Sequence, residues 1–305
     1  MTPMASTRTG RRKTHSLPLF QQMTIAGVGL IGGSLGMICK QQGLVKTIVG
    51  AGRRVENLKR AVERKAVDRY ATDLAEAAAG SDLFVLATPV DTFEATLRTC
   101  VPRLAPGAIV TDVGSVKGPL VARMEALVPA GIKVVGAHPI AGKEKTGVAA
   151  ASSDLFRNAL CILTPTSQTD PDALAKVRLL WEACGAHVHE MDPMVHDRVL
   201  GAISHLPHVL AFALVNTIAM IQERHLPGLD LQSFAGGGYK DSTRIAASSP
   251  EMWRDICLWN RNNLLSQIEL YEARLGHIKA LLKAGDAEGL TREFTQAKQL
   301  REMIN

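Results

Sequence analysis

Cysteine is sparse and unpatterned in this 305-residue chain. Cys39, Cys100, Cys161, Cys184 and Cys257 are odd in number and form no C-x-x-C. That argues against a disulfide framework and against zinc, and it suits a reducing cytosol, so a cytoplasmic location is expected. The first residues hold no apolar core of the kind a secretory signal needs. No clean apolar run spans a bilayer either: residues 199–221 are interrupted by Ser204, His205, Pro207, His208 and Asn216. Polar groups at that density are costly in lipid, so the reading is a buried helix and no membrane. No internal repeat is present. The net charge of +6 is mild, and much of it sits at Arg8, Arg11, Arg12 and Lys13 in an unpatterned segment, residues 1–22, expected to be a disordered basic tail. No nucleic-acid motif accompanies that charge, and no nucleic acid is expected as a partner.

Against these absences stands one ordered stretch. Residues 23–28 read as a short buried strand, apolar apart from Thr24. Gly27, Gly29 and Gly32 follow in G-x-G-x-x-G spacing, and Leu30, Ile31, Leu35, Met37 and Ile38 continue as an apolar helical face. Strand, glycine turn and helix in that order are what dinucleotide binding requires. Gly27 allows the tight turn, Gly29 lets a pyrophosphate approach the backbone, and Gly32 lets helix pack on strand. Free N–H groups at the helix start, around Leu30 and Ile31, then face the phosphates.

Further candidate strands lie at 47–51, 83–87, 108–112, 133–136, 160–164 and 187–190, with helices at about 32–42, 54–65, 91–103, 117–128 and 171–184. Short apolar strands alternating with helices imply an α/β fold, a Rossmann-type doubly wound, mostly parallel sheet. From Pro193 to Ile304 only helical periodicity remains. The expected plan is a dinucleotide-binding domain over 23–191 and an all-helical domain over 192–305; a chain of this length has room for both.

The tip of the second strand reads Ala51-Gly52-Arg53-Arg54. An Asp or Glu there would hold the ribose 2′-OH of NAD. A carboxylate would repel a 2′-phosphate, whereas arginine grips phosphate through a forked contact. NADP is therefore favoured over NAD.

In an open α/β sheet, ligands lie beyond the carboxyl ends of the strands. Thr88 and Pro89 follow the 83–87 strand where a nicotinamide or its ribose would pass, and they read equally as a helix-starting turn. Ser115 follows the 108–112 strand and is equally a good helix N-cap. His138 lies between the end of the 133–136 strand and Pro139, placed for proton transfer because its ordinary pKa is near neutrality. In the helical domain, His205 and His208 share a helix face; a third ligand of suitable spacing is lacking, and no metal is expected. Arg244 follows Gly236-Gly237-Gly238 and suits a carboxylate.

The glycine turn, the 112–117 and 136–142 segments, the 204–208 segment and Asp241–Arg244 with Trp253-Arg254-Asp255 together resemble the prephenate/arogenate dehydrogenase family of tyrosine biosynthesis. The resemblance covers about residues 23–300. It implies hydride transfer to a nicotinamide with loss of carbon dioxide from the substrate ring. By it, His138 and Ser115 are catalytic: His138 takes the proton of the ring hydroxyl, and Ser115, also near the cofactor, holds the hydroxyl or the imidazole. Arg244 binds a substrate carboxylate, His205 and His208 line the pocket, and Asp241 orients its neighbours. The helical domain forms a homodimer, to which the apolar 199–221 run would contribute. Val195, near the start of that domain, stands where an acidic residue would grip the ammonium of arogenate, which leans the substrate toward prephenate. A different NADP-linked hydroxyacid or imine dehydrogenase would keep the glycines without needing His138 and Arg244 together. With the sequence running to Asn305, neither a C-terminal regulatory domain nor a chorismate mutase segment is expected.

Overall fold

The short apolar runs become one sheet. In a computed structural model, which describes residues 17–142 and 146–304, the strands are β1 (Phe20–Ala26), β2 (Val45–Ala51), β3 (Arg69–Ala71), β4 (Leu83–Leu86), β5 (Ile109–Asp112), β6 (Lys133–Ile140), β7 (Leu160–Thr164) and β8 (His187–Glu190). They stand in the order β3-β2-β1-β4-β5-β6-β7-β8. The first six strands run parallel; β7 pairs antiparallel with β6, and β8 parallel with β7. The helices of this half are α1 (Leu30–Gln42), α2 (Val55–Glu63), α3 (Leu74–Ala78), α4 (Phe93–Cys100), α5 (Gly118–Leu127) and α6 (Pro171–Ala183). They cover both faces of the sheet, and the strands are accordingly buried on both sides, as the uniformly apolar β4 shows. The one fully buried polar residue of the first strand, Thr24, is accommodated because its hydroxyl donates to the Ala77 carbonyl at 2.6 Å.

Three boundaries differ from the sequence reading. The first strand begins at Phe20, so residues 20–22 are strand rather than tail; residues 1–16, with Arg8, Arg11, Arg12 and Lys13, lie outside the described residues. β3 and α3 were not foreseen, being three and five residues long, too short to show a period. The third difference bears on function: β6 does not stop at Gly136 but runs to Ile140, so His138 and Pro139 are strand residues, not loop residues. β6 pairs with β5 only over Lys133–Val135, and beyond that it overhangs with β7 as its sole neighbour. A proline, which offers no N–H, is tolerated on such a one-sided stretch.

After β8 the chain is helical: α7 (Pro193–Leu200), α8 (Leu206–His225), α9 (Gly237–Thr243), α10 (Pro250–Trp259), α11 (Arg261–Ala284) and α12 (Ala287–Glu302). Asp192 caps α7 by accepting from the N–H groups of Met194 and Val195. A π-helical turn over Gly201–His205 joins α7 to α8, giving a continuous helix of 33 residues. The widened turn falls just before Pro207, whose ring could not fit a regular i→i−4 ladder. The expectation of a buried helix over 199–221 is not met. Ala211 is the one buried residue of α8, and Leu214, Met220 and Ile221 keep 36–44% of their surface. Among the described residues, α9 and α11 pack on α8 but leave these apolar side chains partly uncovered.

Candidate active site

The glycine turn has the geometry its spacing implied. Gly27 has φ +96°, and a Cβ there would stand 2.5 Å from the Ala87 carbonyl oxygen. A Cβ on Gly32 would stand 2.4 Å from the Gly27 carbonyl oxygen, so α1 can approach β1 only because that residue is glycine. At Gly29, the N-cap of α1, a Cβ would meet nothing within 4 Å. That face opens on a cleft of about 510 Å³ lined by Gly27, Gly29, Arg53, Arg54, Thr88 and Pro89 among others. Leu30 and Ile31 form the first turn of α1, which holds no acidic side chain, so its N–H groups and the positive end of the helix dipole are available to an anion. The Asn57 amide donates to the Val28 carbonyl at 2.8 Å and fixes the floor of the cleft. Thr92 donates to Thr88 Oγ1, and Pro89 precedes a short 3₁₀ turn, so these two residues serve both the turn and the cleft wall. The shape, open glycine backbone and cationic tip fit a nicotinamide dinucleotide.

Beyond the end of β5 lies a buried polar network. Asp112 and Lys117 form an ion pair with both side chains fully buried. Asp112 also accepts from the N–H groups of Gly114 at 2.8 Å and Ala137 at 3.1 Å, tying the end of β5 to the overhang of β6. His138, on that overhang, keeps 8% of its surface exposed. Its Nδ1 lies 2.9 Å from His196 Nε2, and His196 Nδ1 lies 2.8 Å from Asp197 Oδ1. His196 and Asp197 belong to α7 and are buried at the domain junction. The Asp197 carboxylate also accepts from the backbone N–H groups of Lys117 at 2.7 Å and Gly118 at 2.8 Å. The cap of α5 is therefore Asp197, from the other domain, and not Ser115. Burial first, with the nearby Lys117 ammonium, holds the His138 imidazole well below its ordinary pKa; burial likewise lowers His196.

His205 and Ser115 meet from opposite domains. The Asn260 amide donates to the Asp197 carbonyl at 2.8 Å and to His205 Nδ1 at 2.9 Å, so His205 carries its proton on Nε2, beside the Ser115 backbone. Burial drives its pKa to about 4. His205 packs edge-on against Trp253, and His208 stacks on the same indole with ring centroids 3.6 Å apart. The His208 Nδ1–H donates to the Ser204 carbonyl at 2.9 Å. Burial lowers the pKa of His208, and the Arg244 guanidinium nearby lowers it further. The structure thus brings together His138, Ser115, His205, His208 and Arg244. Asp241 lies exposed on α9, one turn before Arg244, outside the buried network. Sequence reasoning missed His196, Asp197 and Asn260, each of which has a partner 55 to 80 residues away.

Comparison with known proteins places this arrangement. Residues 35–190 match the family model for the nucleotide-binding domain of prephenate dehydrogenase, and residues 192–296 that for its dimerization domain. The chain is 38% identical to a prephenate dehydrogenase of Bacillus subtilis, over 91% of this chain and 74% of that protein. It is 29% identical to a cyclohexadienyl dehydrogenase of Zymomonas mobilis, over 93% of this chain and 96% of that protein. Among solved structures, prephenate dehydrogenase from Aquifex aeolicus, in complex with hydroxyphenyl propionate and NAD+, superposes with a TM-score of 0.88 at 39% identity, covering 96% of this chain and all of that one. An arogenate dehydrogenase from Synechocystis gives 0.77 at 32%, covering 92% and 99%. With both halves matched in order and the polar network at their junction, the chain belongs to the prephenate dehydrogenase family, oxidoreductases that use a nicotinamide cofactor.

Proposed function

We propose that this family member oxidises and decarboxylates prephenate to 4-hydroxyphenylpyruvate, with NADP as the preferred acceptor. The observation that carries the reading is His138: a buried imidazole held below its ordinary pKa, on the strand overhang beyond the end of β5, with Nδ1 engaged by His196. The bound nicotinamide supplies the hydride acceptor. His138 takes the proton of the ring hydroxyl as the carbon bearing it is oxidised, and Ser115 holds that hydroxyl or the imidazole in line. Arg244, with His208 beside it, meets a substrate carboxylate through a forked contact. His205, bonded to Asn260 and set against Ser115, acts from behind the site, and Asp241 orients the approach to Arg244. Carbon dioxide leaves the ring as it becomes aromatic, so the protein's tasks are alignment and charge control.

The preference for NADP is supported by Arg53 and Arg54, both exposed at the tip of β2 and lining the cleft, whose lining residues include no carboxylate. The choice of prephenate is supported by Val195, an apolar residue near the start of α7. A homodimer through the helical domain is supported by the uncovered apolar face of α8. The test is kcat/KM for prephenate and for arogenate, each with NADP and with NAD, repeated in the Arg53→Ala/Arg54→Ala double variant. Prephenate with NADP is expected to give the highest value in the parent chain, and the double variant to raise KM for NADP far more than for NAD. An unchanged cofactor preference would overturn the assignment of the two arginines.

A further inference from the structure

The base proposed above sits at one end of a chain of buried groups that begins in the other domain. Asp197 is held at both oxygens. Oδ1 accepts from the Lys117 N–H and Oδ2 from the Gly118 N–H, at the positive end of α5. Both oxygens therefore act as acceptors here. The 2.8 Å contact from Asp197 Oδ1 to His196 Nδ1 therefore puts the His196 proton on Nδ1. His196 Nε2 is then a lone pair. The 2.9 Å contact between His196 Nε2 and His138 Nδ1 can be a hydrogen bond only if His138 donates it, so His138 carries its proton on Nδ1. Its Nε2 is bare. The two rings meet at 62° with centroids 5.1 Å apart, an edge-on arrangement that sends the donated bond along the lone pair rather than into the ring face.

We propose that His196, oriented by Asp197, is a positioning residue that locks His138 in the tautomer whose Nε2 is the free base. The proposal rests on His138 being the base of the reaction. In the step itself a proton passes from the substrate hydroxyl to His138 Nε2. His138 becomes an imidazolium whose Nδ1–H still points at His196, and the Asp197 carboxylate beyond meets the new charge. Burial keeps His196 neutral, and with both rings neutral any other arrangement of protons breaks one of the two bonds: were His138 protonated on Nε2 and bare on Nδ1, two lone pairs would face each other in a buried space. His138 is a residue of β6 and His196 of α7, so the tautomer is set only when the two domains are docked.

The first test needs no substitution at His196. In the full chain labelled with 15N at histidine, the ring signals that vanish in His138→Asn belong to His138. Expected is a protonated Nδ1 and an unprotonated Nε2 near neutral pH; a protonated Nε2 overturns the proposal. The second test is kinetic. His196→Leu, which cannot accept the bond, should lower kcat by about 10²-fold or more, by analogy with the loss seen when a catalytic imidazole is left in the wrong tautomer, with KM for prephenate and cofactor affinity held within about threefold. His196→Gln offers an amide oxygen as acceptor and should recover about tenfold of that loss. A kcat for His196→Leu within about threefold of the parent, or a Gln variant no better than Leu, removes the role of His196. Should His196→Leu fail to bind cofactor, the tautomer of the parent chain decides. The two readings fail separately. If His138→Asn keeps the parent rate, His138 is not the base. If His138→Asn is inactive while His196→Leu turns over normally, only the positioning role is lost.

Discussion

As the proposed base, His138 depends on surroundings that refuse it a second proton until a substrate supplies one. Burial and the nearby Lys117 ammonium keep the ring neutral, so the base form is present at neutral pH. Replacing it with asparagine removes the proton acceptor and leaves the glycine turn untouched. His138→Asn is expected to cut kcat by about 10²–10⁴-fold with cofactor affinity nearly unchanged, measured by steady-state turnover beside a binding titration. A loss of cofactor binding of the same size would make His138 structural. Arg244 is the complementary residue. A substrate with two carboxylates needs a fixed cation, and a guanidinium keeps its charge at any working pH. Arg244 is exposed in the free chain; where bound substrate desolvates the pair, removing the carboxylate's partner costs about 2–5 kcal/mol, so Arg244→Gln is expected to raise KM for prephenate by about 10²-fold or more and to lower kcat less. Arg244→Lys should recover only part, since an ammonium lacks the fork. A KM within about threefold of the parent, in a protein whose circular dichroism is intact, would place Arg244 outside the site.

At the scale of elements, the junction of β5, α5, β6 and α7 decides the site. Lys117 and Asp112 pair in full burial, and removing one partner alone strands the other charge. Lys117→Met should lower unfolding stability by about 3–5 kcal/mol, and adding Asp112→Asn should return part of it. Urea unfolding of the two single variants and the double variant measures this; additive effects would mean that the pair is not coupled. The same junction shows where sequence reading stops. The glycine turn was legible because three residues within six carry its whole geometry. His138 was legible as a candidate but not as a strand residue, because Pro139 reads as a breaker and the strand partner that overrides it, Cys161, is remote in sequence. Asp197 looks like any acid in a helix that also holds Arg198. Its partners are the N–H groups of Lys117 and Gly118, and no periodicity marks them. β3 and α3 fall below the length at which a pattern can be seen.

For the whole molecule, the buried histidines that build the site also set the limits of the fold. His138, His196 and His205 are each held below the ordinary histidine pKa of 6.5, His205 at about 4, with burial the leading cause in all three. In the unfolded chain these groups titrate near 6.5. As pH falls through that value the unfolded chain takes up protons that the folded chain refuses. The stability tied to the neutral rings is therefore complete above about pH 6.5 and is lost progressively below it, down to the folded pKa values. Each such histidine removes about 1.4 kcal/mol per pH unit inside that window. The chain is expected to lose unfolding stability steeply between about pH 6.5 and 5, before most carboxylates begin to titrate. His205→Gln, which has nothing to titrate, should flatten the slope by about one histidine's share, whatever it does to stability at neutral pH. Denaturant unfolding across a pH series reads both slopes. Stability that stayed flat from about pH 7 to 5 would show that the rings are charged or solvated in the folded protein. Burial would then not be what holds His138 in its base form.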